Sequence, residues 1–104
     1  MDTNIIKNNI NNVHEKPLVS FIMTAKNTKH FIDEAIESVL NQTYSNLELI
    51  IVDDASTDGT TEIIKAWAQK DSRIKTIFNT HSILPPEARN KAVSIAHGKY
   101  LAIL

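Results

Sequence analysis

The most constraining feature of the sequence is a nearly continuous apolar run over residues 47–52, which ends in two aspartates, Asp53 and Asp54. Apart from Glu48, the run does not alternate between apolar and polar residues. A short segment of this kind is typical of a strand buried on both faces of a parallel sheet. Because such a sheet needs helices on both faces, the segment predicts an α/β fold with an acidic pair at the carboxyl end of a central strand.

Helical and strand-like patterns alternate along the remainder of the chain. Apolar residues recur at helical spacing over 31–40 and again over 63–68, and Pro85 and Pro86 precede a third helical pattern. Gly98 is predicted to occupy a left-handed position after that third helix. The order strand, helix, strand, helix, strand, helix, strand predicts a Rossmann-like parallel sheet with helices on both faces. The predicted strands cover residues 18–23, 47–54, 74–78 and 100–104.

The composition limits the class of protein. A chain of 104 residues with a net charge of -1 and no dense basic block has room for one core and no electrostatic reason to bind nucleic acid. Without cysteine, a disulfide or a thiolate metal site is impossible. No apolar segment suits a signal peptide or a membrane span, so we expect a cytoplasmic protein, either free or peripheral at the inner face of the membrane. Residues 1–16 are predicted to form a flexible polar leader, and residues 17–104 to form the domain.

The candidate site lies at the carboxyl edge of the predicted sheet, where ligands bind in folds of this type. The segments expected to form it cover residues 24–28, 53–58 and 79–90. Adjacent strand residues point to opposite sides, so only one of Asp53 and Asp54 can face the crevice, and the other is expected to brace the following loop. A carboxylate there can accept hydrogen bonds from a base imide or a ribose hydroxyl, or bind a divalent cation. The alternative is a pair of turn-forming aspartates without a ligand.

Other polar residues near this edge have two interpretations each. Arg89 can pair with a diphosphate or brace the acidic pair, or it can be a solvated helix residue. Asn27 and Thr28 can cap the first helix or line the pocket. Four histidines are scattered without the spacing of metal ligands, and a chain with only two glycines cannot contain the dinucleotide-binding fingerprint.

Several segments together resemble the opening of a family 2 glycosyltransferase with the GT-A fold. They are VSFIMTAKN over residues 19–27, AIESVLNQTY over 35–44 and LIIVDDASTD over 49–58. Two further landmarks follow in the right order, ARN over 88–90 and GKYLAIL over 98–104. Each segment alone is modest evidence, but the ordered set is highly specific.

The resemblance implies a function. The chain is expected to form the nucleotide-sugar-binding part of an inverting glycosyltransferase, which transfers a sugar from a UDP-linked donor to a saccharide or lipid-linked acceptor. Asp54 is expected to bind the base, and Arg89 to approach the nucleotide from the third helix. The nucleotide-binding residues implied are Thr24, Ala25, Lys26, Asn27, Asp53, Asp54 and Arg89.

The resemblance also implies where the remaining chemistry lies. The family places an Asp-x-Asp motif, which holds Mg²⁺ or Mn²⁺ on the diphosphate, after the strand that ends at Leu104, and a catalytic carboxylate later still. We therefore assign no catalytic residue and no metal ligand to this chain, and we expect the isolated chain to be inactive.

The sequence departs from the family pattern in three places. Lys26 stands where an aromatic residue is usual, so that a cation replaces a ring. Residues 83–86, ILPP, replace a more flexible stretch that carries a glycine. Ala55 replaces a common glycine after the acidic pair, which is expected to require only an ordinary backbone angle there.

Two alternatives come from other classes of protein. A receiver-like signalling module also has a doubly wound sheet with acidic residues at strand ends. Its acidic pair follows the first strand, however, whereas the pair in this sequence follows the second predicted strand. A structural or interaction fragment would associate with another chain through an exposed fourth strand.

Overall fold

The structure, a computed structural model, describes residues 16–104. The predicted leader over residues 1–16 lies outside the described residues, except for Lys16. Four strands alternate with three helices in the predicted order. The elements are β1 (Val19–Ala25), α1 (Ile32–Leu40), β2 (Leu47–Asp54), α2 (Thr60–Lys70), β3 (Ile74–Asn79), α3 (Pro85–Ser94) and β4 (Tyr100–Ile103).

All neighbouring strands are parallel, in the order β3-β2-β1-β4. Strand β2 pairs with β1, where Leu47 lies opposite Val19, and with β3, where Ile74 lies opposite Leu49. All eight residues of β2 are buried. The prediction of a parallel sheet with a strand buried on both faces is therefore confirmed.

The first face of the sheet packs against α1 and α2. Leu49 and Ile51 of β2 join Ile36 of α1 and Ile64 of α2 in one core cluster. Complete burial of a side chain of this size contributes about 1.5–3 kcal/mol before the entropy of ordering is counted. Trp67, which the helical pattern assigns to the core, is partly buried against this cluster and donates its indole N–H to Asp33 Oδ1 at 2.7 Å.

The second face packs against α3. Ile50 and Val52, which alternate with the residues of the first face, lie with Ile22 of β1 against Ala88 and Ala92. The alanines allow α3 to approach the sheet closely, because their side chains are small. The two clusters confirm that helices cover both faces.

The apolar pattern that predicts α1 begins one residue before the helix does. Phe31 was predicted as part of the buried face, but the helix begins at Ile32 and the Phe31 side chain is 70% exposed. Residue 31 has φ −123° and ψ −19°, so it lies outside the helix and its side chain is not directed with those of the following turns. In residues 16–104, no helix is long and apolar enough to cross a membrane.

Gly98 does not occupy the left-handed position predicted for it. Gly59, with φ 105°, is the one glycine with a positive φ. Gly98 is instead required by close packing, because a Cβ at this position would lie 2.6 Å from the backbone nitrogen of Ser20 and 3.0 Å from the carbonyl oxygen of Leu18. The segment that leads into β4 therefore lies directly against the start of β1.

The buried carboxylate of Glu48 stabilises this contact between the segment before β4 and the start of β1. Glu48 Oε2 accepts hydrogen bonds from the Ser20 hydroxyl at 2.6 Å and from the His97 N–H at 2.7 Å, while the Gly98 N–H donates to Ser20 Oγ at 2.8 Å. Burial raises the pKa of Glu48, but these hydrogen bonds outweigh it and leave the pKa below its ordinary value. The ionised carboxylate stabilises the fold at neutral pH, and this contribution is lost as the pH falls through the lowered pKa.

Ala55 also differs from the expectation of an ordinary backbone angle. Its φ is 59°, in the left-handed region that costs a residue with a Cβ about 1–2 kcal/mol. We expect Ala55→Gly to raise the free energy of unfolding by about 0.5–1 kcal/mol, because relief of this strain exceeds the added freedom of the unfolded chain. Denaturant titration of both proteins measures the difference.

Ala66→Gly is the matched control for this prediction. Ala66 is exposed within α2, where glycine destabilises a helix by roughly 0.5–1 kcal/mol. The two substitutions should therefore shift the unfolding midpoint in opposite directions. A destabilised Ala55→Gly variant would contradict the argument from backbone strain.

Candidate functional site

A cleft of about 360 Å³ opens at the carboxyl edge of the sheet. Its walls come from the end of β1, the end of β2 and the segment that joins β3 to α3. The volume falls within the range of small-molecule sites. The residues that line it are Thr24, Ala25, Lys26, Asp54, Ser82, Ile83, Leu84, Pro85 and Ala88.

Asp54 is the acidic residue of this cleft, and it is held on both carboxylate oxygens. Oδ1 accepts hydrogen bonds from Asn79 Nδ2 at 3.1 Å and from the Ile83 N–H at 2.9 Å. Oδ2 accepts one from the Ser82 hydroxyl at 2.8 Å. The end of β2 is thereby tied to the β3–α3 segment, and one lone pair of Oδ2 stays available for a ligand.

These contacts set the charge of Asp54. Burial raises its pKa, but the hydrogen bonds from the Ile83 N–H, the Ser82 hydroxyl and the Asn79 amide, together with the nearby charge of Lys26, lower it by more. The pKa is therefore below its ordinary value. Asp54 is ionised at neutral pH and acts as a hydrogen-bond acceptor.

The orientation of the Asn79 amide is determined from its other side. Lys91 Nζ, on α3, donates a hydrogen bond to Asn79 Oδ1 at 2.8 Å. The amide nitrogen is therefore directed toward Asp54 Oδ1. A lysine, an amide and the carboxylate form one chain of hydrogen bonds between α3 and the cleft.

Lys26, directly after β1, is the basic residue that lines the cleft. Its Nζ donates to Ser82 Oγ at 2.6 Å, so that the bond joins the end of β1 to the segment before α3. Ser82 donates in turn to Asp54, which places the ammonium one hydroxyl away from the carboxylate. In the described part of the chain, no carboxylate forms an ion pair with Lys26.

Asp53 points away from the cleft, as strand geometry predicts for the neighbour of Asp54. Its Oδ1 accepts a hydrogen bond from the Ser56 N–H at 3.4 Å, and its Oδ2 accepts one from the Thr61 hydroxyl. Asp53 therefore braces the segment between β2 and α2. It is not among the residues that line the cleft.

Asn27 has a similar bracing position. Its Oδ1 accepts a hydrogen bond from the Thr57 N–H at 2.7 Å, and its own N–H donates to Ser56 Oγ at 3.0 Å. The residue takes up a left-handed backbone conformation with φ 52°, which asparagine tolerates better than most residues. Its side chain neither caps α1 nor lines the cleft. The Thr28 hydroxyl does not cap α1 either, because it is buried without a hydrogen-bond partner.

Arg89 is exposed on α3, directly after the cleft residue Ala88. It is not itself part of the lining, so its contact with a nucleotide stays a prediction. No pattern in the sequence singles out Ser82, Ile83 or Asn79 individually, although strand order places the segment over residues 79–90 at this edge. The available signal was their position after β3, because the carboxyl ends of parallel strands meet at one edge.

Comparison with known proteins identifies the family. The model for glycosyl transferase family 2 matches residues 20–104. Among curated relatives, the chain is 49% identical over 87 residues to the UDP-Glc:alpha-D-GlcNAc-diphosphoundecaprenol beta-1,3-glucosyltransferase WfaP of Escherichia coli, covering 84% of this chain and 34% of that protein. It is 42% identical over 89 residues to TuaG of Bacillus subtilis, a glycosyltransferase named for teichuronic acid biosynthesis, covering 86% of this chain and 35% of that protein.

A solved structure shows the same fold. The mannosyltransferase PcManGT of Pyrobaculum calidifontis, in complex with GDP-Man and Mn²⁺, superposes with a TM-score of 0.76 at 28% identity. The match covers 85% of this chain and 27% of that enzyme. The chain thus spans about a third of the length of the two curated relatives and a smaller share of the solved enzyme.

Proposed function

Because the chain belongs to glycosyl transferase family 2, we propose that it forms the nucleotide-sugar-binding part of an inverting glycosyltransferase. The observation that carries the proposal is the ionised Asp54 carboxylate, held in a cleft of about 360 Å³ at the carboxyl edge of the sheet. An ionised carboxylate of this kind accepts a hydrogen bond from a base N–H. Membership of the family argues against the receiver-like alternative.

We propose a UDP-linked sugar as the donor. WfaP, whose name contains UDP-Glc, shares 49% identity with this chain, whereas PcManGT, in complex with GDP-Man, shares 28%. The nucleotide contacts proposed are those of Thr24, Ala25, Lys26 and Asp54 in the cleft. Asn27 and Asp53 support them through the loop that they brace, and Arg89 is the proposed contact from α3.

The reaction proposed for the whole enzyme is a direct displacement at the anomeric carbon. The acceptor hydroxyl oxygen, from a saccharide or a lipid-linked acceptor, forms the new bond to that carbon as the bond to the UDP oxygen breaks. A carboxylate base takes the hydroxyl proton, and UDP leaves with the electron pair. The configuration of the anomeric carbon inverts because attack and departure are on opposite sides.

The residues described here do not fit the divalent cation that this family uses. Within residues 16–104, no group of three histidine, aspartate or glutamate side chains is placed to hold a metal ion. Asp53 and Asp54 already accept hydrogen bonds from N–H and O–H donors. We propose that Mg²⁺ or Mn²⁺ is held by other residues of the whole enzyme, and that this chain alone binds nucleotide without transferring sugar.

Two further features of the proposal concern the setting of the enzyme. We propose that the enzyme is cytoplasmic, either free or peripheral at the inner face of the membrane. Strand β4 lies at the edge of the described sheet and exposes Tyr100, Leu101 and Ile103. We propose that this edge is the place where another chain or segment would pair.

Calorimetric titration of the chain with UDP tests the proposed function. We expect a dissociation constant between micromolar and millimolar, and we expect the same value with Mn²⁺ and with EDTA, because the proposed contacts involve no metal. Ribose 5-phosphate, which lacks the base, is the control ligand and should bind far more weakly. The proposal fails if UDP at millimolar concentration produces neither heat nor a change in the NMR spectrum.

A further inference from the structure

Lys26 lines the cleft on the segment that directly follows β1. Its side chain is exposed, and its ammonium donates to Ser82 Oγ at 2.6 Å. Ser82 donates to Asp54 Oδ2 at 2.8 Å. A strong hydrogen-bond donor and a strong acceptor, both lining the cleft, are therefore linked through one hydroxyl.

This pairing matches one edge of a nucleobase. Uracil presents a ring N–H beside a carbonyl oxygen, so a base that donates its N–H to Asp54 brings a carbonyl oxygen next to the position of the Lys26 ammonium. An ammonium carries three donors and no acceptor, and hydrogen bonds to charged groups are stronger than those between neutral groups. Lys26 has donors to spare after its bond to Ser82.

On the basis of the proposed function, we infer that Lys26 reads the base of the bound nucleotide, by donating a hydrogen bond to the carbonyl oxygen beside the N–H that Asp54 accepts. This contact is charge-assisted and lies in the plane of the base. Lys26 is a specificity-determining residue for nucleotides whose base has an N–H next to a carbonyl. Ser82 positions its ammonium.

The alternative role for a lysine at this place is a contact with phosphate. The geometry favours the base, because the bridge through Ser82 holds the ammonium one hydroxyl from the carboxylate assigned to the base. The two roles differ in a measurable way. A base contact is present in uridine as well as in UDP, whereas a phosphate contact is present only in UDP.

The test compares Lys26→Met with the unchanged chain, using uridine and UDP as ligands in NMR titrations. We expect the variant to lose affinity for both ligands by the same factor, about tenfold. Lys26→Arg, which keeps a charged donor, should recover most of the loss. A loss confined to UDP would overturn the inference in favour of a phosphate contact, and an unchanged affinity for both ligands would overturn it altogether.

Ser82→Ala is the matched control, because it removes the bridge and keeps the ammonium. We expect Ser82→Ala to reduce the affinity for both ligands by a smaller factor than Lys26→Met does. An equal or larger loss in Ser82→Ala would show that the effect arises at Asp54 and would overturn the role given to Lys26. If the unchanged chain binds neither ligand, the proposed function itself fails, so the two failures are distinguishable.

Discussion

Replacing Asp54 with asparagine is expected to weaken the binding of UDP by about tenfold or more, because hydrogen bonds to charged groups contribute roughly 1.5–3 kcal/mol and every 1.4 kcal/mol is a factor of ten. The pKa of Asp54 lies below its ordinary value, so the residue is ionised at neutral pH and the substitution removes a charge that is present. Asparagine keeps the size of the side chain and one oxygen. That oxygen can still accept hydrogen bonds from Asn79 and the Ile83 N–H.

The other carboxylate of the pair supplies the control. Asp53→Asn removes a charge at the adjacent position, but the Asp53 side chain contacts Ser56 and Thr61 outside the cleft. We expect this variant to be less stable to denaturant and to keep its affinity for UDP within about threefold, since no proposed ligand contact is lost. Calorimetry with both variants separates the roles. An equal loss of affinity in the two variants would show that the carboxylates do not have separate roles.

Gly98→Ala is expected to destabilise the fold by about 2–3 kcal/mol, near the upper end of the usual cost of overpacking. The added Cβ would meet the backbone nitrogen of Ser20 at 2.6 Å, and backbone atoms cannot move aside as the end of a flexible side chain can. Relief of the overlap requires the segment before β4 to move away. Such a shift would break the Gly98 N–H bond to Ser20 and would disturb the contacts of Glu48.

Gly59→Ala is a suitable comparison, because its cost has a different origin. Gly59 has φ 105°, which strains any residue with a Cβ, but an added Cβ would make only ordinary van der Waals contact, with Lys29 Cδ at 3.6 Å. We expect a loss of about 1–2 kcal/mol there. Denaturant titration of both variants provides the measurement. A Gly98→Ala variant that is as stable as the unchanged chain would show that the packing against Ser20 is looser than the distances indicate.

The fold could be predicted from the sequence because its determinants are local. Apart from Glu48, the run over residues 47–52 is apolar on both sides of the strand, and only burial on both faces accommodates such a pattern. Helical spacing in the segments between strands then required crossovers and a parallel sheet. The structure confirmed this order of elements, and the comparisons confirmed the family.

The contacts within the site could be predicted from the sequence only in part. Strand alternation indicated that one aspartate faces the cleft, but the donors around Asp54 come from the segment after β3, in positions that have no periodic pattern. The backbone angle of Ala55 was wrongly expected to be ordinary, because alanine gives no local sign of a left-handed conformation. Asn27 was a candidate for the pocket, but its side chain accepts a hydrogen bond from Thr57 and does not line the cleft.

The acidic pair at the end of β2 illustrates what the sequence and the tertiary structure each determined. The sequence by itself determined that a buried parallel strand carries two carboxylates to the ligand-binding edge of an α/β sheet, because hydrophobic period and strand geometry act over a few neighbouring residues. Only the tertiary structure decided what those carboxylates and their neighbours contact. The bonds from Ser82 to Asp54, from Lys26 to Ser82 and from Gly98 to Ser20 join residues 28, 56 and 78 positions apart, and such contacts exist only when the chain is folded.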